Sequence, residues 1–156
     1  REASQGRGPV NKTAVVGIKD RATNRVAAAP VPDTSASTLV PFVAERTAEG
    51  AEAFTDEHRS YKPLASLGYC HAAVAHSARE YVRGPVHTNG IESLWSMFKR
   101  GYIGSYHQMS EAHLHRYVDE FTGRHNIRPL DTEDQMGSVV VGMVGKRLRY
   151  EDLIAA

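Results

Sequence analysis

Asp56, Glu92 and Lys99 are the residues of this 156-residue chain whose types and spacing best suit one chemistry. Asp56 ends the run Phe54-Thr55-Asp56 and follows an apolar stretch, residues 51–55, that reads as a short strand. A carboxylate at a strand's end is held rigidly at the rim where ligands bind. Taken alone, Asp56 reads more readily as a turn former, the commoner use of Asp at such places. Glu92 sits on the first turn of a helix that begins near Asn89. Ser96 and Lys99 follow it at i+4 and i+7 and share its face, away from the apolar stripe Ile91, Leu94, Trp95 and Phe98. Each charge also has a plain explanation, because an acid suits a helix start and a base suits its end.

The pair says more than either acid. Asp56 and Glu92 are 35 residues apart, counting those between them. Phosphoryl transfer by two metal ions brings carboxylates from different elements around ions roughly 3.5–4 Å apart. A strand-end Asp and a helix-borne Glu are one way to build that, and Lys99 could neutralise a DNA phosphate. As a bare spacing the signal is weak, since acidic residues are common.

The elements that must position these side chains are legible in outline. Residues 1–11 are Gly-rich and polar and read as a flexible N-terminal segment. Residues 12–19 and 25–31 read as paired strands about a turn at 20–24, with Pro30 at an edge or exit. Asp33 or Thr34 can cap a helix whose face is Ala36, Leu39, Val40 and Val43, and Pro41 predicts a kink or a late start. Residues 67–74 suggest a further strand and 79–88 a loop. Three helices follow. The first begins near Asn89 and Gly101 can end it, and Ser110 can cap the second, with Leu114, Tyr117, Val118 and Phe121. The third opens on a capping box of Thr132 and Gln135 and carries Met136, Val139, Val140, Met143 and Val144. Strands first and helices later suggest α+β, or α/β with a mixed sheet.

Composition narrows the classes. With 41% hydrophobic and 24% charged residues the chain is globular. A single cysteine, Cys70, excludes a disulfide framework and a Cys-cluster zinc site, and it reads as a small buried side chain. No apolar run reaches the roughly 18 residues of a membrane span, and no signal-like segment follows Arg1, so a soluble intracellular chain is expected. The net charge is only +1, but the blocks 1–30, 31–60, 61–128 and 129–156 balance at +4, −4, +3 and −2. His113 and His115 point apart on a helix and make a poor metal pair. His71 and His76 read as edge or loop histidines, and Trp95 as core. Lys146, Arg147 and Arg149 read as a solvated face as readily as a phosphate contact.

Four segments, TDEHRSYKPL (55–64), HSAREYVRGPVHTNGIESLWSMFKRGYIGSYHQMS (76–110), LHRYVDEFTGRHN (114–126) and DTEDQMGSVVVGMVGKRLRYEDLI (131–154), resemble transposases of bacterial insertion sequences. The likeness is greatest to the ISXO-like group, the IS fifteen-ninety-five family, and KTAVVGIKDRATNRV (12–26) shares it. HTNGIESLWSMFKRG (87–101) is its most distinctive block.

The resemblance implies an α/β, ribonuclease-H-like fold over residues 12–156, a mixed sheet flanked by helices, and DDE-type chemistry on DNA. It places the second acid on Asp56, the third on Glu92 and the family's basic residue on Lys99. Asp56 and Glu92 would be catalytic and would hold Mg²⁺, two ions in the complete site. Lys99, Arg100, His87 and Asn89 would contact DNA. The first acid belongs on a strand before residue 12 that residues 1–11 do not supply. Asp20 lies in a turn and Asp33 before a helix. The expectation is an N-terminally truncated, partial domain with its first strand missing. It would bind metal weakly and be inactive alone. The complete enzyme would cleave and join phosphodiesters at element ends, as a homo-oligomer on DNA in the bacterial cytoplasm and nucleoid. The alternative is a non-catalytic DNA-binding remnant of a decayed transposase. A nuclease of the same fold is a third reading.

Overall fold

The computed structural model describes residues 12–75 and 82–154. The segment 1–11 and His76 lie outside the described residues.

Strand β1 (Ala14–Lys19) pairs antiparallel with β2 (Val26–Val31), from Ala14 opposite Val31 to Lys19 opposite Val26. Their β-branched residues suit a pleated, half-buried surface. Asp20 fixes the turn, accepting from the Ala22 N–H at 2.9 Å and the Thr23 hydroxyl at 2.5 Å, and Asn24 takes a left-handed conformation at φ 61°. Pro30 is inside β2, opposite Val15. One face of the hairpin carries Val16 and Val31, which pack on Leu39 and Phe42 of helix α1 (Ala36–Ala44). Gly17 points to the other face, against Trp95 and Ile91 of helix α3 (Asn89–Gly101).

Helix α1 continues through Pro41. Pro41 lies on the exposed side, where the Ser37 carbonyl it leaves unpaired can face water, while Leu39, Val40, Phe42 and Val43 are buried and hold the helix. Asp33 accepts from the Ser35 N–H at 2.8 Å and the Thr38 hydroxyl at 2.8 Å and so organises the helix start.

Strand β3 (Glu52–Asp56) pairs parallel with β4 (Cys70–Val74). A 3-10 turn, Arg59–Tyr61, and the short helix α2 (Pro63–Ser66) make the crossover. The strand expected at 67–74 starts only at Cys70, because residues 67–69 turn the chain, with Gly68 at φ 87°. Cys70 is exposed rather than buried, because it opens β4 at the sheet's end. The expected loop at 79–88 contains a small hairpin, β5 (Val82–Arg83) and β6 (Val86–His87), turned by Gly84 at φ 59°.

The fold is mixed α/β, but among the described residues the six strands form three two-stranded sheets rather than one mixed sheet. β1 and β3 each keep one edge without a strand partner there.

Helix α3 packs on helix α4 (Leu114–Ile127) through Phe98 and Phe121, whose ring centroids are 5.1 Å apart, edge to face. α4 also reaches the hairpin. The Asn126 amide accepts from the Val26 N–H at 2.8 Å and donates to the Val26 carbonyl at 2.9 Å. Helix α5 (Thr132–Met143) is capped by Asp131, which accepts from the Asp134 N–H at 2.9 Å. The expected Thr132 cap is displaced by one residue, since a carboxylate is the stronger acceptor at the positive end of a helix. Gln135 still reaches back, donating to the Leu130 carbonyl at 2.8 Å. Helix α6 (Tyr150–Ile154) follows. The stripe Met136, Val139, Val140 and Met143, expected to face a core, is exposed.

Candidate active site

Asp56 is the last residue of β3 and is exposed. Its carboxylate accepts from the His58 N–H at 3.1 Å, so it serves the turn reading while standing at the strand's rim. Tyr61 lies beside it. Burial and the Asp56 charge push the Tyr61 phenol up to about 12, which keeps it neutral and a hydrogen-bond donor. One residue before Asp56, the Thr55 hydroxyl donates to the Asp56 carbonyl and meets His71 Nε2, each at 2.8 Å. Burial holds His71 below the usual histidine range.

Glu92 is on the first turn of α3 and half-buried. Its carboxylate accepts from the Thr88 hydroxyl at 2.5 Å, and its N–H donates to the Thr88 carbonyl at 3.1 Å. Helix α3 spans the expected residues because the apolar stripe finds both a hairpin and a neighbouring helix to cover it.

Asp56 and Glu92 line one open cleft of about 1200 Å³. Consecutive residues 15–19 of β1 and 52–56 of β3 form its walls, and His87, Thr88 and Gly90 bring the start of α3 to its rim. His87 therefore joins the two acids, and its Nδ1 is buried without a hydrogen-bond partner. Asn89, Lys99 and Arg100 do not line the cleft. Lys99 and Arg100 are exposed on the last turn of α3, and Lys99 stands about 10.5 Å from Glu92 along the helix axis. Asp20 does line the cleft, although its carboxylate is committed to Thr23 and Ala22, which hold it below the usual carboxylate range.

One positioning residue escaped the reading from sequence. Arg21 donates to the Pro85 carbonyl at 2.5 Å and the His87 carbonyl at 2.6 Å, and its guanidinium lies 4.3 Å from the centroid of the Phe54 ring. It ties the hairpin turn to β3, which carries Asp56, and to the segment entering α3, which carries Glu92. An Arg in a turn gives no local signal of partners 64 and 66 residues away.

The donor set suits only part of a metal site. Asp56 and Glu92 offer hard oxygens of the kind Mg²⁺ prefers. Among the described residues, no three of His, Cys, Asp and Glu converge to hold an ion. Two carboxylates fall short of a two-ion centre by themselves.

Comparison with known proteins adds the following. The ISXO2-like transposase domain family matches residues 1–126. An uncharacterised protein in the transposable element ISH50 of Halobacterium salinarum is 29% identical over 128 residues, 80% of this chain and 43% of that protein. An uncharacterised transposase-like protein of Haemophilus influenzae is 27% identical over 96 residues, 62% of this chain and 76% of that protein. The chain thus spans less than half the length of the halobacterial relative. No solved structure matches. Among the described residues, no helix is long and apolar enough to cross a membrane.

Proposed function

Since the chain belongs to the ISXO2-like transposase domain family, we propose that it is the part of an insertion-element transposase that presents two of the catalytic carboxylates to DNA. The observation that carries this reading is the shared cleft of Asp56 and Glu92, drawn from a strand end and a helix start with 35 residues between them. In this reading Asp56 and Glu92 are ligands for Mg²⁺, which would stabilise charge at a reacting phosphodiester. Lys99 and Arg100, two turns along α3, hold the DNA backbone, and His87 and Asn89 contact it near the helix start. A ribonuclease-H-like sheet would need a further strand, bearing the remaining acid, between β1 and β3, each of which has one edge without a strand partner among the described residues. Two acids fall short of the required set. Residues 1–156 alone are therefore expected to hold Mg²⁺ weakly and neither to cleave nor to join DNA. The working enzyme is proposed to act as a homo-oligomer on element ends and target DNA.

The test is fluorescence anisotropy of a labelled DNA duplex titrated with the chain, with and without Mg²⁺. Lys99→Ala with Arg100→Ala should weaken binding and lower the slope of log affinity against log salt by about 0.9 for each phosphate no longer neutralised. Asp56→Asn with Glu92→Gln should bind more tightly than wild type without Mg²⁺, because two repelling charges are gone. Added Mg²⁺ should narrow that gap by neutralising the wild-type pair. A gap unchanged by Mg²⁺ would sink the shared-ion reading. A joined DNA product made by residues 1–156 would overturn the expected inactivity.

A further inference from the structure

Three Lys or Arg side chains, Lys19, Arg21 and Arg46, line the cleft of Asp56 and Glu92. Two of them are committed. Arg21 donates to the Pro85 and His87 carbonyls, and Arg46 donates to the Phe42 carbonyl at 3.1 Å and pairs with Glu45 at 2.9 Å. Lys19 differs from both. Among the described residues, no carboxylate lies within ion-pair reach of its ammonium and no carbonyl accepts from it.

A strand and a helix place this lysine. Lys19 ends β1 two positions after Gly17, so both residues face α3. There the half-buried Lys19 stem lies across Gly90, on the first turn of α3. A Cβ built at Gly90 would stand 3.0 Å from Lys19 Cδ and 3.6 Å from its Nζ. The missing side chain at 90 is thus the room in which the stem lies, with its charge at the edge of the cleft. That edge is the helix turn that carries Glu92, whereas Lys99 and Arg100 stand on the last turn and outside the cleft. The cleft needs such a charge. Asp20, Glu52, Asp56, Glu57 and Glu92 line it and outnumber its bases, so an entering phosphate is repelled unless a cation stands beside it. We propose that Lys19 holds a DNA phosphate inside the cleft, next to the two acids, as a contact separate from those of Lys99 and Arg100. This inference rests on the reading of the cleft as a DNA site. A compact ammonium on a flexible stem meets a phosphate as a point charge and needs no fixed geometry to do so.

Anisotropy of the labelled duplex over a salt series without Mg²⁺ tests this, with circular dichroism to confirm folding of each variant. Lys19→Gln should make the plot of log affinity against log salt shallower by about 0.9, the share of one phosphate, and Lys19→Arg should keep the wild-type slope. Lys62→Gln removes an exposed lysine outside the cleft and should leave the slope unchanged. A double-mutant cycle reads the location. With Asp56→Asn and Glu92→Gln in place a phosphate approaches Lys19 more closely, so adding Lys19→Gln should weaken binding by a larger factor than it does in wild type. Lys99→Ala with Arg100→Ala, far from the acids, should cost the same factor in both backgrounds. The inference and the reading beneath it fail separately. A wild-type chain that does not bind the duplex, or acid variants that bind it as wild type does, would overturn both. Acid variants that bind more tightly, together with a Lys19→Gln variant that keeps the wild-type slope or costs the same factor in both backgrounds, would overturn the Lys19 contact alone. So would a Lys62→Gln variant that loses as much slope as Lys19→Gln.

Discussion

Gly17 is the point of closest approach between the hairpin and α3. A Cβ built there would lie 2.6 Å from Cζ2 of Trp95, inside any real carbon contact. The neighbour is an aromatic ring wedged between β1 and the body of α3, so it cannot swing aside as a flexible chain end would. Gly17→Ala is expected to destabilise the fold by about 1–3 kcal/mol, the usual cost of overpacking. Urea denaturation read by fluorescence checks it directly, because Trp95 is the chain's sole tryptophan. An unshifted midpoint would mean the ring relaxes freely. The sequence shows half of this contact. Helical spacing assigns Trp95 to the core, but nothing local says which strand residue receives its ring. Asp56 and Glu92 are similar: type, spacing and resemblance single them out, whereas Arg21, which ties their elements together, leaves no trace in its neighbours.

At the scale of elements, periodicity succeeds where a helix meets a body and fails where it does not. α3 is bounded as its stripe predicts, because Leu94 is buried, Trp95 meets the hairpin and Phe98 meets α4. α5 has an equally regular stripe, yet that stripe lies in solvent, since a pattern states which face wants cover and not what supplies it. Pro41 fails as a breaker because the four buried neighbours outweigh one missing bond on a wet face. The link between α4 and β2 is of another kind. The Asn126 amide pairs with both backbone groups of Val26, as a neighbouring strand would. Val26 is buried, so water does not readily replace the partner. Asn126→Ala is expected to lower stability by about 1–3 kcal/mol, the penalty for stranding buried polar groups. It should also speed amide exchange at Val26 more than at Val16, whose bonds run to β2 itself. Equal acceleration at both would show general loosening instead of the removal of an edge partner. With Asn126 100 positions along the chain from Val26, no spacing rule could have paired them.

Across the whole molecule, the cleft divides the sheets and α1 joins them. Leu39 and Phe42 pack with Val16 and Val31 of the hairpin, while Val40 and Val43, on the adjoining face, pack with Leu64 and Tyr69 below the parallel pair. Ile18 and Tyr61 touch both clusters. Strand patterns alone predict a single mixed sheet because they reveal strands and not their neighbours. The structure instead leaves the span between β1 and β3 bridged by side chains from one helix. Whether such a joint makes one folding unit is decided by energy. Leu39 and the fully buried Leu64 lie in different clusters, and truncating either to Ala removes about 2–5 kcal/mol. If α1 couples the halves, Leu39→Ala and Leu64→Ala both shift one transition, and Trp95 fluorescence and circular dichroism trace it together. Trp95 reports from the hairpin side, whereas Leu64 belongs to the cluster below the parallel pair. A Leu64→Ala variant whose dichroism falls early while its fluorescence midpoint stays in place would show two independent halves. The cleft would then be a boundary between folding units rather than a groove within one.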